Sequence, residues 1–457
     1  MSHLLKAKMY ARMNSTLHTP LLIIVMLLYV SSVSAKNIYV SSKKGNDIFD
    51  GSHYLKPKKT IQAAEELTKP GDTVFVMDGV YTNDCAACNV LNITRSGKKN
   101  KYIVYTAMQG HHPVISFDGW AGFFITNGAS FVQISGFEVI GGNQKLTLSA
   151  ALKQPMSCQN KKGTPDPKYN GNGIVIDGNG KKMSHHIIIS QNTVHDCPGG
   201  GIGASHADYV TVEGNLIYNT SWYSVFGNSG ISFYQFYNSD NGKGYHNIIR
   251  ANKCYNNKSL VPWFKNCEIM DGNGIIVDDF RSRQNGSKLG NYRGRTLIEN
   301  NICWYNGGTG IHTFQSDHVD IINNTAYCNS QDKHLNAGQI LSGLGNDNRI
   351  VGNILVSDGD NIINSNYYNT NFTYENNLHF NLSTPGKEVV NVTSKTCIAG
   401  TDPDFVMPAN SLKADFHLKP NSPANHKANT VLHPGVDFDG RPRPDGKACS
   451  MGAFEIQ

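Results

Sequence analysis

The chain has 457 residues, 39% hydrophobic and 17% charged, with 45 glycines and a formal net charge of +6 at pH 7. This length suits one long domain or two to three ordinary ones, and the weakly apolar, turn-rich composition points to many short strands and away from a helical protein. Three of the positive charges, Lys6, Lys8 and Arg12, fall within the first 35 residues; the mildly basic remainder makes no case for nucleic acid and is compatible with an acidic polysaccharide partner.

Residues 1–35 read as a secretory signal: a basic start, an apolar run from Pro20 to Val30, and small residues at Val33-Ser34-Ala35 for cleavage. The apolar run is short for a membrane span. No later stretch is apolar enough to span, so the mature protein is expected outside the cell and free of the membrane. Ten cysteines suit an oxidising compartment. Cys85 and Cys88 form a single C-x-x-C with no second pair, so zinc is not expected. Asn-x-Ser/Thr sequons at Asn92, Asn219, Asn257, Asn285, Asn323, Asn371, Asn381 and Asn391 read mostly as products of Asn-rich turns.

After the signal, Asn37–Ser41 predicts a short strand. In Pro57–Leu67, Ile61, Ala64 and Leu67 share one helical face, and Pro70-Gly71 stops the helix. This amphipathic helix is suited to covering one end of a stack. Thr73–Met77 predicts the next strand. From about residue 120 a repeat takes over, each unit carrying a hydrophobic strand, then Asn, then a small apolar residue. Asn192, Asn215, Asn252, Asn301, Asn324, Asn353 and Asn377 are separated by 23, 37, 49, 23, 29 and 24 residues. A period of 23–24 with loops inserted in some turns predicts a solenoid, and Asn at a fixed corner predicts a parallel β-helix with side chains hydrogen-bonded coil to coil. A second strand opens with Gly in Gly173–Asp177, Gly201–Ser205, Gly230–Tyr234, Gly274–Asp278 and Gly310–Phe314. Alternation sends Ile174, Ile202, Ile231, Ile275 and Ile311 inward. Cys254 and Cys303 share one inward place in successive repeats and read as core thiols, with a disulfide as the alternative. The last stretch, Leu418–Glu455, has lost the repeat and is expected to cap the far end. The predicted organisation is a signal (1–35) and one β-helix domain (36–457). That domain comprises an N-terminal cap with first coils (36–119), repeat coils (120–395) and a C-terminal cap (396–457).

Three parts together resemble a known group. Ile38-Tyr-Val-Ser with Lys59-Thr-Ile-Gln-Ala-Ala and Lys69-Pro-Gly-Asp-Thr-Val-Phe-Val resembles the start of secreted right-handed β-helix proteins, including the pectate lyases of polysaccharide lyase family nine. The Asn repeats resemble the same group. Ser422-Pro-Ala, Asp439-Gly-Arg-Pro-Arg-Pro and Gly452-Ala-Phe-Glu resemble its C-terminal cap. The resemblance covers nearly all of residues 37–457 and implies an all-β, right-handed parallel β-helix with an N-terminal capping helix and an irregular C-terminal cap. Family-nine lyases use a calcium ion held by aspartates and a lysine base, and no rung of this chain carries a matching lysine. The Asn-Thr-Asp and Gly-His-Gly motifs of β-helix polygalacturonases are also missing.

In register, the Gly-Ile strands predict one outward column of Asp177, Ser205, Tyr234, Asp278 and Phe314, followed at the corner by Gly178, His206, Gln235, Asp279 and Gln315. With coils about 4.8 Å apart, the expected catalytic patch is Asp278, Asp279, His312, His206, Tyr234 and Arg281. Arg283, Phe314, Gln235 and Gln315 are the expected substrate contacts. Long insertions at 236–246, 257–272 and 281–295 are expected to wall it. A uronate lyase needs a carboxylate neutraliser and a base for the C5 proton. Asp278, Asp279 and Asp271, with Glu268 nearby, are hard oxygen donors suited to Ca²⁺. The base would come from His206, His312 or an arginine, with Tyr234 as an alternative. The plain alternative for the adjacent aspartates is a solvated turn. The expected activity is β-elimination on an acidic, uronate-containing polysaccharide by a monomer. The alternatives are a glycoside hydrolase, for which two adjacent aspartates with diverging side chains fit less well, a uronate epimerase, and a non-catalytic carbohydrate-binding surface protein.

Overall fold

The structure, a computed structural model, describes residues 35–178, 182–444 and 446–456. Apart from Ala35, the expected secretory signal lies outside the described residues. No helix among the described residues is long and apolar enough to cross a membrane.

The chain winds as a right-handed parallel β-helix. Among the described residues three parallel sheets of eleven, nine and eleven strands run along the solenoid, and each coil contributes one strand to each sheet through most of its length. Strands alternate because β-branched residues fill the inside of the coil. Ile174, Ile202, Ile231, Ile275 and Ile311 are all fully buried, as the Gly-Ile pattern predicts. A short helix, α1 (Ile61–Glu65), has Thr60 as its N-cap, accepting from the Ala63 N–H. It buries Ile61 and Ala64 against the first coils.

The predicted asparagine ladder is present throughout. Side-chain amides donate upward from Asn192 to Asn215 (3.1 Å), and on through Asn252, Asn301, Asn324 and Asn353 to Asn377 at 3.0 Å each. Each amide also donates to backbone carbonyls, so the corner between the first and third sheets holds no idle donor. A second ladder, not anticipated, lies at the next corner: Asn257 to Asn306 (2.9 Å), Asn306 to Asn329 (2.7 Å) and Asn329 to Gln339 (3.0 Å). Cys254 and Cys303 pair in register as buried free thiols. The disulfides are Cys85–Cys88 and Cys158–Cys267.

The C-terminal stretch has left the repeat and is irregular, as expected. The far end of the core is covered by Val390 and Val392, which pack against it, with the Ile363 N–H donating to the Val389 carbonyl (2.8 Å). The residues beyond fold back along the outside of the third sheet. There Phe405, Phe416, Met451 and Phe454 bury Trp304, Tyr327 and Ile354. Arg443, fully buried, is held by Glu455 at 2.9 Å and by the Gly452 carbonyl at 2.8 Å. The reason lies in the sequence of the third sheet: Ile302, Trp304 and Ile354 project from it, and that apolar face needs a cover.

Candidate active site

Six strands of the nine-stranded sheet form the face on which the site lies: β1 (Ile202–Ser205), β2 (Ile231–Tyr234), β3 (Ile275–Asp278), β4 (Ile311–Phe314), β5 (Ile340–Gly343) and β6 (Asn364–Tyr367), with lining residues from β2, β3, β4 and β6. Their register matches the predicted column: Ser205 beside Tyr234, Tyr234 beside Asp278, and Asp278 beside Phe314. Over β2 to β6 the insertions enclose a cavity of about 640 Å³, within the usual range for small-ligand pockets, about 300–1,000 Å³.

One wall is built by the insertion before β3. The Trp263 N–H donates to the Glu268 carbonyl and the Cys267 N–H to the Trp263 carbonyl (both 2.8 Å), which closes this segment into a compact turn. The Cys158–Cys267 disulfide ties it to the insertion at 143–171. A satellite core of Ala151, Tyr223, Val225 and Val261, with Phe226 and Phe264 against it, supports the wall from behind. The cavity therefore presents Trp263, Phe264, Lys265 and Met270 on this side. Asp271 ends the segment in a left-handed conformation (φ 61°). A Cβ on Gly227 would fall 2.1 Å from Asp271 Oδ2, so only glycine at 227 leaves room for this carboxylate. The opposite wall is the insertion after β3, which brings Gln284 and Asn285 to the cavity.

Two carboxyls line this cavity in unequal settings. Asp278 accepts from Gln284 Nε2 at 2.9 Å. Burial, then the charges of Asp271 and Asp279, push its pKa up to about 8. Asp271 accepts from Asn273 Nδ2 at 3.2 Å. Burial raises it to about 6, with that hydrogen bond pulling the other way. Both carboxyls are thus held above the ordinary carboxylate range, Asp278 further than Asp271. His312 lines the same cavity and is lowered to about 4 by burial, so its imidazole is neutral. Its Nε2 is buried with no hydrogen-bond partner. Tyr234 is raised to about 12, chiefly by burial, and keeps its hydroxyl proton. That hydroxyl accepts from Asn285 Nδ2 at 2.7 Å.

Of the residues expected from the sequence, the cavity gathers Asp271, Asp278, Tyr234, His312 and Phe314. The others lie elsewhere. Asp279 is fully buried. Its Oδ1 accepts from the Arg283 N–H (2.7 Å), and its Oδ2 from the Gln284 N–H (2.8 Å) and Gln235 Nε2 (2.7 Å). Gln235 is buried in that same network and also donates to the Gln284 carbonyl. The reason is conformational. His206, Gln235, Asp279 and Gln315 all sit at φ near 50°, and this left-handed bend breaks the in–out alternation that the column assumes. His206 pairs with Asp177 at 2.9 Å and lies outside the cavity. Arg281 clamps Asp317 at 2.6 to 3.1 Å. Arg283 is exposed and meets the site through its backbone alone, and Gln315 touches Gln284 at 3.5 Å. Glu268 does not line the cavity.

The donors do not fit the calcium site expected from Asp278, Asp279 and Asp271. The Asp279 carboxylate is already taken up by three N–H donors, which leaves Asp278 and Asp271 as the carboxylates of that set that face the cavity. No group of three or more His, Cys, Asp or Glu side chains suited to a metal occurs among the described residues. Sequence reading missed Trp263, Phe264, Lys265, Gln284 and Asn285. The usable signal was an aromatic pair and a lysine beside Cys267, inside an insertion that interrupts the repeat.

No curated protein matches this sequence. Among solved structures, the chain is similar to pectate lyase Pel9A, with 17% identity, 93% of this chain and 98% of that chain covered, and a TM-score of 0.52. It is also similar to a GH136 lacto-N-biosidase from Eubacterium ramulus, at 15% identity over 76% of this chain and 56% of that one, with a TM-score of 0.45. The family model described as the Pel9A-like right-handed beta helix region matches residues 38–348. The chain belongs to the Pel9A-like right-handed β-helix family.

Proposed function

We propose that this protein is a carbohydrate-active enzyme that cleaves a glycosidic bond by hydrolysis, with Asp278 as general acid and Asp271 as the carboxylate opposite it. One observation carries the reading: two carboxyls of unequal proton affinity line one aromatic-walled cavity. A glycosidase needs that pairing, one group protonated to meet the leaving oxygen and one ionised to act on the sugar or on water. In this reading Asp278 carries the proton, and Gln284 orients its carboxyl. Asp271 is the ionised partner, and Gly227 leaves it room. Trp263, Phe264 and Phe314 supply apolar faces for sugar rings, and the neutral imidazole of His312 lines the same cavity. The leader-like residues 1–35 support secretion.

A second reading is β-elimination on a uronate polymer, favoured by membership of a family named for a Pel9A-like protein and by Lys265 at the cavity. In that reading protonated Asp278 and the Lys265 ammonium would face the uronate carboxylate, and Asp271 would take the C5 proton. Both readings can be separated with the purified protein on polygalacturonate, alginate and neutral glycans, following reducing ends together with absorbance near 235 nm. New reducing ends without that absorbance are expected. Absorbance rising in step with the ends would replace hydrolysis by elimination. No new ends on any glycan would sink both and leave carbohydrate binding.

A further inference from the structure

The cavity is unequal at its two ends. Along the helix axis the register runs Tyr234, Asp278, Phe314, Gly343 and Tyr367, all but Gly343 lining the cavity. At the Tyr234 end a hydrogen-bonded chain crosses from one wall to the other. Lys265, from the insertion before β3, donates to Asn285 Oδ1. Asn285, from the insertion after β3, donates to the Tyr234 hydroxyl at 2.7 Å. The Lys265 ammonium also stands 5.2 Å over the Trp263 ring, which holds it to its wall. The next rung outward, Ser205 of β1, does not line the cavity. At the other end Tyr367 is the last lining residue, and no hydrogen bond joins the two walls there among the described residues. Gly343 has no side chain to stand up from the floor, and a Cβ there would lie 2.7 Å from the Tyr367 ring. The Tyr367 ring therefore lies down over this rung and is 36% exposed.

We propose that the cavity is a blind-ended groove and that the enzyme engages its glycan by a chain terminus, with Lys265, Asn285 and Tyr234 as the end stop. The proposal rests on the glycosidic-bond-cleaving reading above. A polymer cut in mid-chain must pass through a groove open at both ends, whereas this one admits chain only from the Tyr367 side. Asp278 is one strand spacing, about 4.8 Å, from the stop at Tyr234, so the bond cut lies near the terminus and the product is short. The amine, amide and phenol of the stop are hydrogen-bonding groups matched to terminal sugar hydroxyls.

The test uses the full chain on whichever of polygalacturonate, alginate or arabinoxylan it cleaves, with oligosaccharide sizes and solution viscosity followed from the first few per cent of cleavage. One short product from the outset, with viscosity lagging behind bond cleavage, is the expected result. The Lys265→Ala/Asn285→Ala variant is expected to melt at the wild-type temperature and to give a broad ladder of sizes, with viscosity falling at least about tenfold faster per bond cut. A broad ladder from the wild type would overturn the end stop while leaving bond cleavage standing. A folded double variant with the wild-type product pattern would overturn it too. No cleavage of any polymer would overturn the reading above and this one with it.

Discussion

Two faces of the same solenoid carry added chain, and they are finished in opposite ways. On the third sheet the C-terminal segment lies flat and fills: Trp304, Tyr327 and Ile354 disappear under Phe405, Phe416 and Phe454, and buried Arg443 is neutralised by Glu455. On the second sheet the insertions arch over and leave space, and the groups that line it are titratable. Asp278 and Asp271 are half-buried without a cation in contact, and His312 Nε2 has no partner. A cover that fills turns burial into stability, about 25 cal/mol for each Å² of apolar surface removed from water. A cover that arches turns burial into altered proton affinity. Unpaired polar groups cost stability, and their concentration at one place marks it as the working face.

Removing the acid should break the comparison most sharply. Asp278→Asn keeps the shape and the contact with Gln284 but cannot give up a proton, so kcat/KM on the cleaved glycan should fall about 10²- to 10⁴-fold. Asp271→Asn should do the same, and a loss under threefold in either would move the chemistry elsewhere. The filled face should show the reverse pattern. Trp304→Ala should lower unfolding free energy by about 3–5 kcal/mol with kcat/KM of the remaining folded protein unchanged, measured by denaturant titration beside the glycan assay. A large kinetic effect there would mean that the two faces are coupled.

The solenoid was legible because its signal repeats. Asn192 to Asn377 recur at one corner, and the Gly-Ile strands fix a register that places Tyr234, Asp278, His312 and Phe314 together. The second ladder was equally readable, since Asn257, Asn306 and Asn329 each follow a first-ladder asparagine by five residues, yet it was not anticipated. The failures have two physical sources. Period-two alternation stops at the left-handed bend, so Asp279 and Gln235 turn into the protein where projection was expected. The walls depend on long-range joins, such as Cys158 to Cys267, that no local spacing encodes. Trp263, Lys265 and Asn285 therefore reach Asp278 from insertions outside the repeat, and only the folded chain brings them there.

A smaller effect should sharpen how much both faces depend on the ladder beneath them. Asn252→Ala removes donors to Asn301, to Val212 and to Arg250 and leaves the Asn215 N–H and amide without their acceptor. A loss of about 1–3 kcal/mol is expected, read as a shift in the unfolding midpoint. The ladder is continuous along the axis, so the change should lower the melting point without altering product or pH profile. A change in either would show that the ladder also shapes the cavity.

The smallest expected effect tests whether the arched face bears a stability cost at all. Asp278 has its folded pKa raised to about 8 from an ordinary 3.8, so the folded protein binds this proton more tightly than the unfolded chain does. Its contribution to stability is fully present below about pH 4, drains away as pH rises toward 8 and is gone above that. Asp278→Asn carries no such charge. The variant should therefore match the wild type at pH 4 and become more stable than it by on the order of 1 kcal/mol or more by pH 9. The deficit of Trp304→Ala should stay constant over the same range, because no titration lies behind it. Parallel melting curves for wild type and Asp278→Asn from pH 4 to 9 would mean that Asp278 is ionised and well solvated in the folded protein. It would then lack the proton that hydrolysis requires of it.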